Sequence, residues 1–406
     1  MKRITLLLVL ICVSLVLMAD THLTVTVTNP LREARSDQPV VLSLAAYGEV
    51  RTALVTLDGR EIPCQLDDTD QDERMDELCF LADFQGKGTQ TYQVTLSPEG
   101  ELREYPARVY AEMLVRNGKV KEKNKQDNYL QSMTATKDCA FPYNILHHHG
   151  VAFESELNCI RIYFDARQTL DLYGKFQKRL ELRETQFYTD DEQKRQGYGD
   201  DVLWVGTTFG LGAFRGWNGS APTLLDDVLF RTQRVISYGP LRTIVEVDDK
   251  GWLADPAKPR IHMTLRYIQY AGHRDTEVQV RFRQDVSDRL FSTGIINVKG
   301  SEEFTDHKGL RGCWGTDYPS SDTVKWKRET VGLGICIPRK YIREELPKDK
   351  DNYPYVIGTG TRLTYAVAYT SDNETFGYHS APAWFSWLKA WKKELENPVE
   401  VEVRRK

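Results

Sequence analysis

Three consecutive histidines, His147, His148 and His149, precede Gly150, and Glu154 and Glu156 follow within a few residues. An imidazole titrates near neutrality, so any of the three suits general acid or base work. Two imidazoles with Glu154 offer ligands to a transition metal, and one imidazole is enough to hydrogen-bond a carboxylate. If the triplet is extended, His147 and His149 point together and His148 points away. Gly150 permits a bend or a close backbone approach. A turn holding one structural histidine is the plain alternative.

The stretch that follows alternates. Ile160, Ile162 and Phe164 fall on one face, and Arg161, Tyr163, Asp165 and Arg167 on the other. Leu170 and Leu172 repeat the apolar phase, and Asp171, Tyr173 and Lys175 the polar one. Forked donors, phenols and acceptors in register form a surface suited to hydroxyls and carboxylates. The same residues also suit cross-strand ion pairs on an ordinary sheet. Further along, Trp217 and Asp200 offer an aromatic face and an acceptor for a sugar ring, and His379 lies in the polar group Tyr378-His379-Ser380. Gly210-Leu211-Gly212 lacks the Lys-Ser/Thr of a phosphate loop. No GxSxG or HExxH motif occurs, so serine-hydrolase and zincin chemistry have no support.

The elements that must position these groups are mostly strands. His22–Thr28, Pro39–Leu44, Ala53–Leu57, Tyr92–Leu96, Met263–Tyr270, Thr276–Phe282, Leu363–Tyr369 and Val399–Val403 read as strands, with Asp58-Gly59 as a hairpin turn. Val202–Val205 reads as one more. Ala383–Leu395 is the one convincing helix. Trp384, Trp387, Leu388, Trp391 and Leu395 share one face, Pro382 stands near its start and Pro398 follows its end. That stripe suits packing on a sheet or stacking on a sugar. The fold expected is mainly β: a large antiparallel β-sandwich with a few helices, one near the C-terminus. Residues 20–119 form an N-terminal β lobe, 120–130 a lysine-rich linker or loop, and 131–406 the main sandwich, which is continuous with the lobe in the alternative division. Asp67–Glu77 is an acidic loop or exposed helix.

Residues 1–19 carry a basic start at Lys2 and Arg3 and an apolar run from Ile4 to Met18. They read as a signal peptide, so a secreted or periplasmic protein is expected. Ile11 before Cys12 disfavours a lipid anchor. The chain has 54 basic and 58 acidic residues and no basic block, which argues against nucleic acid and anionic membranes as partners. Beyond Cys12 come Cys64, Cys79, Cys139, Cys159, Cys313 and Cys336, with no CxxC spacing. Cys64 with Cys79 and Cys139 with Cys159 are placed to bridge hairpins; buried free thiols are the alternative.

The stretches HHHGVAFE, IRIYFDARQTLDLYGK, DVLWVGTTFGLGAF, SYGPLRTIVEV and YHSAPAW resemble a secreted, long-uncharacterised domain-of-unknown-function family from Bacteroidetes. That resemblance implies association with pectin- and uronate-degrading enzymes. The pair MTLRYIQY and TEVQVRF is similar to strands of the galactose-mutarotase-like β-supersandwich, shared with several polysaccharide lyases. The expected partner is therefore a glycan, acidic in character. A lyase acting by β-elimination needs a group to hold the uronate carboxylate, a base for the proton α to it, and an acid for the leaving oxygen. Arg161 and Arg167 suit the first role, a histidine of the triplet the second, and Tyr163 or Tyr173 the third. Asp165, Lys175, Trp217 and His379 would complete the substrate contacts. An epimerase or mutarotase using a histidine with Glu154 is an alternative. So are a glycoside hydrolase pairing Glu154 with Asp165 or Asp171, and a non-catalytic glycan-binding protein. A divalent metal is left open, calcium through carboxylates or zinc through histidines.

Overall fold

The computed structural model describes residues 19–137 and 142–406. The leader and Cys139 lie outside the described residues, apart from Ala19. The protein is mainly β, built from antiparallel sheets. Four helices occur among the described residues: α1 (Pro142–Ile145), α2 (Leu182–Thr185), α3 (Asp191–Arg195) and α4 (Ala381–Glu396). None is long and apolar enough to cross a membrane.

The first sandwich pairs a five-stranded sheet with a three-stranded one. Strand Thr21–Thr28 is central in the first and shows strict alternation, with Leu23, Val25 and Val27 buried. They meet Val40, Leu42 and Phe80 from the second sheet. The chain returns here at its end, where Glu400–Arg405 pairs with Thr21–Thr28. Asp58 and Gly59, both at positive φ, turn Thr52–Leu57 into Arg60–Ile62. Cys64 and Cys79 do not form the bridge their spacing allowed, and both are buried free thiols. Gln65 stands opposite Cys79 and Cys64 opposite Phe80, so the two thiols leave their hairpin on opposite faces.

The larger unit centres on a nine-stranded sheet that includes Ile261–Tyr270, Asp275–Phe282 and Arg362–Ser371. On one side it packs against two five-stranded sheets through a single core that includes Phe153, Ile160, Ile162, Tyr267, Val278 and Val367. On the other side α4 lays Trp384, Leu388 and Trp391 on Leu310, Cys336, Ala366 and Ala368. Gly312 and Gly334 make room, since a Cβ at either would stand 2.3 Å from a Leu388 methyl. Buried polar ties join the two units. Arg242 holds Asp67 at 2.7 Å, and Gln65 reaches Ser237 at 2.8 Å. The expected strand Val202–Val205 is not one. Only Asp200–Asp201 pairs, with Gly174 and Tyr173, and Val202, Leu203 and Val205 are buried from irregular chain.

Candidate functional site

The histidine turn belongs to a five-stranded sheet ordered Asp200–Asp201, Leu170–Gly174, Cys159–Tyr163, Gly150–Ser155 and Val109–Glu112. Strand alternation sends Ala111, Val151, Phe153, Ile160, Ile162, Leu170 and Leu172 into the main core. The opposite face carries the polar set. Glu112, Ala152, Arg161 and Asp171 align in one cross-strand row, and Tyr110, Glu154, Cys159 and Tyr173 in the next. The sequence periodicity thus assigns the faces correctly. What it does not reveal is that residues 176–199, with α2 and α3, lie across the polar face. Leu182 and Phe187 pack there on Ala152, Cys159 and Tyr173.

That cover gives three of the expected site residues structural partners. Glu154 is fully buried; its carboxylate takes the Lys175 ammonium at 2.6 Å and the N–H groups of Glu181 and Leu182 at 2.8–3.0 Å. It therefore anchors the start of α2 rather than facing a ligand. Lys175 is equally buried and also donates to the carbonyls of Ser155 and Arg179. The Tyr173 hydroxyl is held by Thr189 and the Gly199 carbonyl.

The histidines form a turn, not an extended run. His149 is left-handed at φ 68°, which breaks the alternation expected of His147 and His149. Gly150 serves the close approach: a Cβ there would stand 1.8 Å from the Ile162 carbonyl oxygen. His149 directs Nδ1 at the Tyr143 carbonyl (2.9 Å), so that nitrogen carries the proton, and Nε2 accepts from the Tyr188 hydroxyl at 3.3 Å. Its ring stacks on Tyr143 at 4.0 Å and meets Tyr163 edge-on. His147 is buried with Nε2 unpartnered. Burial pushes His147 and His148 down to about 3 and His149 to about 4, with Arg161 adding to the effect on the last two. All three rings are neutral at physiological pH.

Arg161 and Tyr163 join this cluster. Arg161 donates to Asp171 at 2.6 Å and Asp201 at 3.1 Å, its carbon 4.3 Å from the Phe187 ring centre, while its Nη1 has no partner. Tyr163 donates to Asp171 at 2.6 Å. Arg167 pairs with Asp165 at 2.6 Å and lies over Tyr143 and Tyr163. Trp217 and His379 are not brought here. Trp217 is in another sheet, paired with Pro222, and Asp200 is tied to Lys194 instead. His379 is exposed ahead of α4 against Asp372.

The sequence analysis named His148 but missed its partner, Glu112. His148 is fully buried, with Nδ1 3.0 Å from the Gln186 carbonyl and Nε2 2.8 Å from Glu112 Oε1. Neither of the latter atoms has a hydrogen-bond partner of acceptable angle, each other included. With Nδ1 donating to the carbonyl, Nε2 and Oε1 are two acceptors in contact, which a proton on one of them relieves. Burial raises the Glu112 carboxyl to about 8, which places that proton on Glu112. Its other oxygen accepts from the Tyr110 hydroxyl at 3.0 Å. Glu112 lies beneath a cavity of about 440 Å³ walled by Tyr110, Tyr129, Leu130, Arg183 and Tyr238, its side chain fully covered. Tyr129 and Tyr238 are 53% and 45% exposed, unusual for such large side chains, and both face this space. The available signal was Glu112 itself, a lone charge in the apolar run VYAEMLV.

For a metal, the histidine nitrogens and Glu154 do not converge. Among the described residues, Asp68, Asp70 and Asp76 bring carboxylate oxygens within 4.8 Å of one another, in the acidic 67–77 loop. Backbone amides of Gln71 and Glu73 already bind Asp68, as Thr69 binds Asp76.

The model for the domain of unknown function DUF4861 matches residues 27–401. The chain belongs to this family. No curated protein matches it significantly. Among solved structures, it is similar to an alpha-mannosidase from Enterococcus faecalis V583, at 8% identity and TM-score 0.46, covering 94% of this chain and 46% of that one. It is also similar to a protein in glycosyl hydrolase family 38 from Enterococcus faecalis, at 8% identity and TM-score 0.45, covering 95% and 47%. This DUF4861 chain spans about half the length of either.

Proposed function

We propose that this DUF4861 protein is an exported carbohydrate-active enzyme that cleaves uronic-acid-containing glycans by β-elimination at the Glu112 cavity. The observation that supports this reading is a protonated carboxyl group, backed by His148, beneath a tyrosine-walled cavity with an arginine at its side. Arg183 lines the cavity and, among the described residues, has no carboxylate partner within ion-pair distance, so its guanidinium is available to a uronate carboxylate. Tyr129, on the same cavity wall, serves as the general base for the proton α to that carboxylate. The electron pair forms the new double bond as the β carbon–oxygen bond breaks, and Tyr110, on the cavity wall and 3.0 Å from the Glu112 carboxyl, passes its proton to the leaving oxygen and is reprotonated by Glu112. Tyr110 and His148 hold Glu112 in place for that transfer. Hydrolysis by paired carboxylates fits less well, because Glu112 is the only carboxylate on the wall among the described residues.

Elimination leaves a conjugated double bond that absorbs in the ultraviolet. Incubation with a panel of uronide oligosaccharides is expected to produce that absorbance. Glu112→Gln should lower kcat by about a hundredfold or more, and Arg183→Met should act mainly on KM. Absence of the chromophore across pectic, glucuronic and alginate-type substrates would exclude the reaction.

A further inference from the structure

A second cavity, of about 320 Å³, lies between α4, the turn at residues 271–274 and the start of the Arg35–Ser43 strand. One wall is aromatic. Along α4 the rings of Trp384, Trp387 and Trp391 stack at 4.9 and 5.5 Å, nearly parallel. Trp384 and Trp391 are spent on the sheet and cover the two faces of Trp387, whose partly exposed edge lines the cavity with Tyr378 5.9 Å away. Two buried donors on the same cavity lack hydrogen-bond partners: Trp391 Nε1 and Arg35 Nε. A buried donor left without a partner is costly, and a ligand oxygen would satisfy it.

The charges favour an anion. Arg274 is neutralised by Glu374 at 2.6 Å. His273 faces Asp275 at 3.1 Å and the Asp37 carbonyl at 2.8 Å, and Arg35 lies 3.9 Å from Glu394. Lys178 remains: exposed, on the cavity wall, and without an ion-pair partner among the described residues. We infer that this cavity is a non-catalytic binding site for a carboxylate-bearing sugar ring. The apolar ring face lies on Tyr378 and the edge of Trp387, and acceptor oxygens meet Trp391 Nε1, Arg35 Nε and Lys178. The choice of a sugar rests on the glycan-directed function proposed above; the site itself is separate from the Glu112 cavity.

Tryptophan fluorescence separates this site from the Glu112 cavity, which no tryptophan lines among the described residues. Titration with methyl α-galacturonoside should quench the full chain saturably, at least about tenfold more tightly than neutral methyl α-galactoside. Trp391→Phe, which keeps an aromatic ring and removes the donor, and Lys178→Ala should each weaken binding by about three- to tenfold. Glu112→Gln should bind as the wild type does. Three results would overturn the site: no saturable quenching, equal affinity for the two glycosides, or both Trp391→Phe and Lys178→Ala binding unchanged. Loss of quenching in Glu112→Gln would also overturn it, by moving the ligand to the other cavity. Intact quenching without an ultraviolet product would remove the elimination reaction and leave this site standing.

Discussion

Glu112 makes stability depend on pH in a direction opposite to that of most carboxylates. Its carboxyl is held at about 8 in the fold by burial, against an ordinary 4.5. Between these values the folded chain keeps a proton that the unfolded chain has released. The contribution is therefore fully present below pH 4.5 and falls by about 1.4 kcal/mol per pH unit until pH 8, about 4–5 kcal/mol in all. Glu112→Gln keeps the shape and the neutral character but cannot ionise, so it removes this dependence. The three histidines contribute the opposite slope between about 3 and 6.5, and they do so equally in both proteins while Glu112 stays neutral. Denaturant unfolding of wild type and variant at pH 5, 6.5 and 8 isolates the effect. The stability of Glu112→Gln relative to wild type should rise by about 4 kcal/mol between pH 5 and 8. Parallel profiles would mean that Glu112 is ionised in the fold, paired with a charged His148, and the proton donor assigned above would not exist.

Two further perturbations test how the cover over the polar face is held. Lys175→Met strands the fully buried Glu154 carboxylate and should destabilise the protein by about 3–5 kcal/mol in denaturant unfolding; Lys175→Met with Glu154→Gln should recover part of the loss. In a Cys12→Ser, Cys139→Ser background, the five buried thiols should resist a thiol reagent until the chain unfolds. Cys79, which burial pushes up to about 12, should be among the slowest, and a fast-reacting native thiol would contradict this packing.

The strands were legible wherever one face meets a core and the other meets water. Thr21–Thr28, Ile261–Tyr270 and Asp275–Phe282 alternate in the sequence as they do in the sheet. The helix α4 was legible for the same reason at its own period. The apolar run at Val202–Val205 misled because burial alone does not make a strand. Those side chains fill the core from a segment in which only Asp200–Asp201 is paired. Nor does local pattern show that Glu400–Arg405 will return to pair with Thr21–Thr28 across nearly the whole chain.

The site was half legible, and the missing half has one physical cause. Alternation placed Arg161, Tyr163, Asp171 and Tyr173 on a common face, as the sheet does. It could not state whether that face meets solvent or another segment, because the cover comes from residues 176–199, beyond the strands themselves. Once covered, Glu154, Lys175 and Tyr173 have their polar atoms consumed by the chain. A carboxyl that is buried yet still lines a cavity escapes this fate, and Glu112 is such a group. The histidine triplet drew attention by its rarity, yet its part in the proposed chemistry comes through one ring, His148, and through a partner some 36 residues upstream that no spacing rule connects to it.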